Sequence, residues 1–160
     1  MQVFDASSMI YAWDNYPANQ FPGLWTWMAA EINARRLMMS IVAYGEVCAG
    51  TPDCGDWLVT AGLEPLEVTN EIAQDAMRIK GLLGIVGDNY HPKGVGENDL
   101  LIIATARAHG RELVSNEAQQ NNPPDVNSKR KIPSVCSMRE VAVTCIDFVQ
   151  YIRRSEAVFG

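Results

Sequence analysis

Four acidic residues of this sequence stand where a parallel sheet would bring side chains together. Asp5 ends the first apolar segment, and Glu46 lies in the first turns of the helix predicted after the second apolar segment. Asp99 opens a later helix, and Glu117 comes two residues after Ser115, at which another predicted strand ends. Sites in open α/β sheets form beyond the carboxyl ends of the strands. We therefore expect the four carboxylates to share one rim of the sheet.

A cluster of carboxylates has a clear chemical use. Carboxylates held close together repel, and each raises the pKa of its neighbour. The cluster is therefore unfavourable unless cations compensate it, and the hard ions Mg²⁺ and Mn²⁺ prefer oxygen ligands. Such an ion suits phosphodiester hydrolysis, because it can activate water for attack on phosphorus and stabilise the leaving oxygen. The acids thus predict a Mg²⁺ or Mn²⁺ site with hydrolytic chemistry.

Each acid also has an ordinary structural interpretation. Asp5 could cap the helix that follows it, and Glu46 could be a solvated helix position. Asp99 could be a first-turn acid favoured by the helix dipole, although Glu97 competes for that role. Glu117 could be a simple loop residue. Capping by Asp5 leaves the other three acids unexplained, which favours the shared site.

The elements that must position these acids alternate between strand and helix. Apolar runs predict strands at residues 2–5, 37–42, 63–68, 112–115 and 132–136. Helical spacing predicts helices at residues 6–15, 24–35, 53–60, 70–85, 97–108 and 139–154, with another through Glu46. This alternation predicts a mostly parallel sheet of four or five strands with helices on both faces, in three α/β/α layers. The length suits one domain spanning residues 1–160.

Residues 116–131 are polar and too long for an ordinary loop, so we expect this segment to be mobile or functional. It ends in the only dense basic run, Lys129, Arg130 and Lys131. This run could simply solubilise a loop, or it could contact phosphates and guide RNA to the acidic rim. The formal net charge of −6 argues against a protein that coats nucleic acid by bulk charge, yet it permits local binding.

Four ordered motifs of the chain resemble those of PIN domains. VFDASSMI resembles the opening strand–Asp–hydroxyl motif, and IVAYGEV the second motif, in which a Glu follows a strand. ENDLLIIATARAHG resembles the third, an Asp before a small, apolar helix, and ELVSNEA the fourth, strand–Thr/Ser–x–acid. The motifs follow one another in order from about residue 3 to residue 118. The tail, KIPSVC and a helix, is similar to that of a PIN-like subgroup of uncharacterised, toxin-like proteins.

The resemblance implies a PIN-like fold and a Mg²⁺- or Mn²⁺-dependent ribonuclease, often the toxin of a toxin–antitoxin pair. Carried over, Asp5, Glu46 and Asp99 are the core metal ligands and catalytic residues, and Glu117 is the fourth. The family usually has Asp or Asn at that fourth position, so Asn116 competes with Glu117. Ser7 would support the site by hydrogen bonding, with Ser8 as its rival. An RNA substrate, an antitoxin protein and a homodimer are the expected partners.

Two other functions compete with the ribonuclease. A catalytically silent PIN-like module would only bind protein or RNA. A phosphatase of the haloacid-dehalogenase type also begins with a strand-ending Asp, but it needs a second acid two residues later, where this chain has Ser7. The N-terminus is not a secretory signal, and no apolar run has the roughly 18 residues of a membrane span. We therefore expect a soluble, cytoplasmic protein.

Overall fold

A four-stranded parallel sheet forms the centre of the computed structural model, which describes residues 1–160. Its strands are β1 (Gln2–Phe4), β2 (Leu37–Met39), β3 (Glu112–Val114) and β4 (Cys145–Ile146), in the order β2-β1-β3-β4. Phe4 lies opposite both Met39 and Val114, and Val114 lies opposite Ile146. All four strands therefore end at the same level.

The order of the strands creates a crevice between β1 and β3. The chain leaves β1 towards β2 on one side, whereas it leaves β3 towards β4 on the other. Neighbouring strands whose connections depart in opposite directions leave a crevice beyond their carboxyl ends. The first residues past these two strands are Asp5 and Ser115.

Helices on both faces of the sheet complete the predicted three-layer α/β/α arrangement, which is confirmed. They are α1 (Ala6–Asn15), α2 (Pro22–Asn33), α3 (Ile41–Gly50), α4 (Pro52–Thr60), α5 (Asn70–Leu82), α6 (Glu97–His109), α7 (Ile132–Cys136) and α8 (Phe148–Ser155), with a 3₁₀ turn at Asn127–Lys129. In α6 the buried residues face several directions, because this helix packs against α3, α5 and the sheet. No helix combines the length and the apolar character that a bilayer crossing requires.

Two of the five predicted strands are wrong. Residues 63–68 contribute only one isolated bridge, between Leu66 and Ser40, because Pro65 lacks the N–H that a longer ladder needs. Residues 132–136 form α7, in which Pro133 stands near the helix start, where its missing N–H costs nothing. The run is apolar because all five of its residues are buried, and periodicity alone does not separate a short buried helix from a strand.

The predicted closing helix at residues 139–154 is also wrong over its first half. Cys145 and Ile146 pair with β3 as the fourth strand, and the helix begins only at Phe148. Asp147 marks that start, because its side chain accepts from the Gln150 N–H at 2.8 Å while the Gln150 side chain accepts from the Asp147 N–H. The other predicted helices are correct in type, with ends that differ by a few residues.

Candidate active site

Asp5 lies at the centre of the crevice and is almost completely buried, with 3% of its surface exposed. Its backbone N–H donates to the Val114 carbonyl at 2.8 Å, which ties it to the end of β3. Asp5 stands at the N-cap position of α1, and the backbone N–H groups of Ala6 and Ser7 lower its pKa, although its carboxylate accepts no capping hydrogen bond of normal geometry. Instead Oδ2 accepts from Ser7 Oγ at 2.5 Å and from Ser115 Oγ at 3.0 Å. Burial nevertheless dominates and raises the pKa of Asp5.

The two serines after Asp5 have different partners. Ser7 bonds to the carboxylate and also accepts from the Asn116 N–H at 2.9 Å. Ser8 donates to the backbone carbonyls of Asp5 and Val114, at 2.8 and 2.7 Å. Ser7 is therefore the hydroxyl that supports the acid, whereas Ser8 fastens α1 to the sheet.

Glu46 enters the crevice from α3. Ser40 follows β2 directly and caps this helix by accepting from the Ala43 N–H at 3.0 Å, which sets where Glu46 falls on its second turn. The pKa of Glu46 is raised to about 7, first by burial and then by the charges of Asp5, Asp99 and Glu117 in that order. One carboxylate oxygen, Oε1, is buried without any hydrogen-bond partner. A buried acceptor of this kind is costly unless something satisfies it.

Asp99 lies in the first turn of α6, and its Oδ2 accepts from the Gly96 N–H at 2.8 Å. The interpretation of Asp99 as an acid of the first helical turn therefore accounts for one of its two oxygens. The pKa of Asp99 is raised to about 6, first by burial, in spite of this bond. The charges of Asp5 and Glu117 raise it as well, and that of Lys131 lowers it. The Asp99 carboxylate therefore interacts electrostatically with the other acids of the cluster.

Glu117 and Asn116 differ in their contacts. The side-chain carbonyl of Asn116 accepts from the Phe148 N–H at 3.1 Å, so it holds the start of α8. Glu117 has an exposed side chain whose charge raises the pKa of both Glu46 and Asp99. The charge of Glu117 therefore acts on the cluster, and its place as the fourth site residue stays a prediction.

The donor set fits Mg²⁺ or Mn²⁺ chemistry, although the side chains as they stand are not arranged for a metal. No three His, Cys, Asp or Glu side chains form a group that could hold a metal ion. All four acids nevertheless offer oxygen ligands, they repel one another, and Glu46 Oε1 has no partner. A hard cation would relieve both the repulsion and the unsatisfied oxygen.

The three residues of the basic run, Lys129, Arg130 and Lys131, have different contacts. Arg130 donates from Nε to Asn127 Oδ1 at 3.1 Å and from Nη1 to Ser134 Oγ at 2.9 Å, so its guanidinium serves the fold. Lys129 Nζ lies 4.0 Å from the exposed Asp125 carboxylate. The charge of Lys131 alone among the three acts on the pKa of Asp99.

Ser115 is the residue that the sequence reasoning missed. The fourth motif, strand–Thr/Ser–x–acid, includes Ser115, but the sequence assigns it no contact with the acids. The structure buries it at 1% exposure, where Oγ donates to Asp5 Oδ2 and accepts from the Glu117 N–H at 3.2 Å. One hydroxyl thus connects two acids of the cluster.

Replacing Ser115 by Ala is expected to lower the free energy of unfolding by about 1–3 kcal/mol, because a buried donor to a carboxylate is lost. Urea unfolding at pH 7 measures this change. Ser137→Ala is the control, since that hydroxyl donates to a backbone carbonyl of α7, outside the crevice. Equal losses in the two variants would contradict a special role for Ser115.

Comparison with known proteins places these observations in a family. No curated protein matches the chain in sequence. Among solved structures, a toxin–antitoxin complex from Klebsiella pneumoniae is similar at 16% identity and a TM-score of 0.49, covering 73% of this chain and 87% of that one. VapBC2 from Rickettsia felis, bound to a DNA fragment from its promoter, is similar at 18% identity and a TM-score of 0.48, covering 81% and 96%. At these scores neither structure says what this chain binds.

The family model that matches is described as a domain of unknown function, DUF4411, and it spans residues 2–159. The match includes all four strands and every acid of the crevice. The chain therefore belongs to the DUF4411 family.

Proposed function

We propose that this protein is a divalent-metal-dependent endoribonuclease that hydrolyses RNA phosphodiester bonds. In this proposal Asp5, Glu46 and Asp99 hold Mg²⁺ or Mn²⁺, and Glu117 assists them. One observation carries the proposal: Glu46 Oε1 is buried without a hydrogen-bond partner beside the other acids, whose charges, after burial, help to raise the pKa of Glu46 to about 7. Acids from four separate segments thus act on one another at the carboxyl ends of β1 and β3.

The ion, when bound, would supply Lewis acidity and lower the pKa of a water molecule. The residues of the chain would position the carboxylate oxygens. Ser7 and Ser115 fix the orientation of the Asp5 carboxylate and keep one of its oxygens occupied. Gly96 does the same for one oxygen of Asp99, so the second oxygen remains available. Without the ion the pKa of Glu46 is raised to about 7, first by burial, so binding of the ion near neutral pH would release a proton from this carboxyl group.

The cellular role follows from the motif resemblance alone. We propose that the protein is the toxin of a toxin–antitoxin pair and that a cognate antitoxin blocks the crevice. The homodimer and the cytoplasmic location remain predictions of the same kind. A second candidate is a catalytically silent PIN-like module that binds RNA or protein, and the lack of a three-residue metal-holding arrangement favours it.

Incubation with a labelled single-stranded RNA distinguishes the two candidates. In Mn²⁺ or Mg²⁺ the ribonuclease should produce shortened fragments, and an excess of EDTA should stop their formation. Protein purified in EDTA and then supplied with Mn²⁺ should regain the activity, which excludes a contaminating metal-independent nuclease. RNA that is bound but remains intact in every metal would favour the silent module.

A further inference from the structure

The basic segment that closes the long polar loop is held against the residues that precede α6. The Val95 N–H donates to the Arg130 carbonyl at 3.0 Å, and Gly96, the next residue, donates to Asp99. Gly94 packs so closely that a Cβ at this position would collide with the Ser128 carbonyl oxygen. The backbone at residues 128–131 is thereby fixed next to the helix that carries Asp99.

The side chain of Gln120 fastens the same segment from the other side. Its Nε2 donates to the Lys129 carbonyl at 3.1 Å, and its Oε1 accepts from the Lys131 N–H at 2.8 Å. One amide thus spans the two peptide groups on either side of Arg130. Both partners are backbone groups, so this contact determines where the chain lies and leaves the lysine side chains free.

Lys131 differs from its two basic neighbours because its ammonium group is not engaged within the protein. It forms none of the ion pairs within 4.0 Å, and its side chain makes no hydrogen bond. Burial is the largest influence on the pKa of Asp99, and the charge of Lys131 opposes it. The cation is therefore near the acids without being neutralised by any of them.

We propose that Lys131 binds an RNA phosphate beside the acid cluster and that Gln120 is the residue that positions it. This inference rests on the proposed ribonuclease function and names how its substrate is held. A phosphate approaching four acids in a chain of net charge −6 meets repulsion. An ammonium group binds phosphate as a compact point charge, and a free one at the edge of the cluster offsets that repulsion.

The test measures RNA binding in the Asp5→Asn protein, in which the RNA should stay intact. A fluorescein-labelled, mixed-sequence, single-stranded RNA is the probe, and fluorescence anisotropy gives Kd in Mn²⁺ at several KCl concentrations. Lys131→Gln is expected to weaken binding about 3–10-fold at low salt and to lower the slope of log K against log[salt] by about 1. Lys131→Arg should retain the slope, because the charge remains.

Lys129→Gln is the matched control, since it removes the same charge two residues away. Gln120→Ala should weaken binding in the same direction, with no further loss when Lys131 is already Gln. Equal effects of Lys129→Gln and Lys131→Gln, or no measurable RNA binding at low salt, would overturn the proposal. If wild-type protein cuts RNA while the two lysine variants behave alike, only this inference fails. If the RNA is never cut but Lys131 still determines its binding, only the ribonuclease fails.

Discussion

Asp5→Asn is expected to lower the rate of RNA cleavage by about 10²–10³-fold, the scale on which one electrostatic contact to a developing charge acts. The substitution removes one full negative charge from the most buried acid of the cluster. Asn offers only a neutral carbonyl oxygen, which is a much weaker ligand for a hard cation. Cleavage of a labelled RNA under single-turnover conditions in Mn²⁺ measures the change.

The same substitution should leave the fold intact, which makes the result interpretable. Ser7 and Ser115 both donate to one oxygen of Asp5, and the Asn carbonyl can accept from both. Burial raises the pKa of Asp5, so the substitution also removes the desolvation cost of a buried charge. Asp14→Asn, on the exposed side of α1, is the control. Equal cleavage by wild type and Asp5→Asn would contradict the proposed mechanism.

Glu46→Gln is expected to stabilise the metal-free protein above neutral pH while abolishing its stabilisation by Mn²⁺. Wild-type protein in Mn²⁺ at 100 times Kd should gain about 2.7 kcal/mol in free energy of unfolding. In EDTA at pH 8, the variant should unfold about 2–4 °C above wild type, which corresponds to about 1 kcal/mol at this length. We expect only this small gain in free energy of unfolding because Glu46 is half-buried and solvent screens its repulsion by the other acids.

The pH dependence of this difference has a definite sign. Glu46 has a pKa of about 7 in the folded protein, raised first by burial, against an ordinary value of 4.5. Its contribution to stability is fully present below pH 4.5 and is lost as the pH rises through about 7, because the unfolded chain releases the proton first. Asp99 acts likewise between its ordinary value of 3.8 and about 6. The advantage of Glu46→Gln should therefore be absent at pH 4 and grow up to pH 8.

Urea unfolding in EDTA and in Mn²⁺, at several pH values between 4 and 8, measures the free energies, and thermal unfolding under the same conditions measures the temperature shift. Glu97→Gln is the matched control, since that acid is exposed in the first turn of α6. It should respond to Mn²⁺ as wild type does. Undiminished stabilisation of Glu46→Gln by Mn²⁺ would show that Glu46 is not a ligand. A variant less stable than wild type in EDTA at pH 8 would show that Glu46 is not repelled.

Much of the fold was predictable because its signals are local. The apolar segments that became β1, β2 and β3 are short and bounded by polar residues, and helices such as α5 bury residues at helical spacing on one face. The wrong predictions concern short apolar segments, which show neither helical nor strand periodicity. Residues 132–136 form a short helix in which every residue is buried. The sequence of β4 is compatible with a helix, and only its pairing with β3 identifies it as a strand.

The sequence by itself predicted that Asp5 and Glu117 follow strands and that Glu46 and Asp99 lie in the first turns of helices. In a parallel α/β sheet these positions lie towards the carboxyl ends of the strands, so the four acids were expected at one rim. Only the tertiary structure decided between neighbours in the chain. Ser7 rather than Ser8 contacts the Asp5 carboxylate, and the side-chain oxygen of Asn116 bonds to α8 whereas the charge of Glu117 acts on the acids.

The tertiary structure also distinguishes Lys131, whose charge acts on Asp99, from Arg130 and Lys129, which have partners of their own. Adjacent residues lie in nearly the same local sequence pattern, so the pattern cannot tell which of them enters the site. Their partners lie on segments far away in sequence, such as α6, α8 and the end of β3, and only packing brings these segments together. The acid cluster was therefore predictable as a set, whereas its supporting hydroxyls, its fourth acid and its one free cation were not.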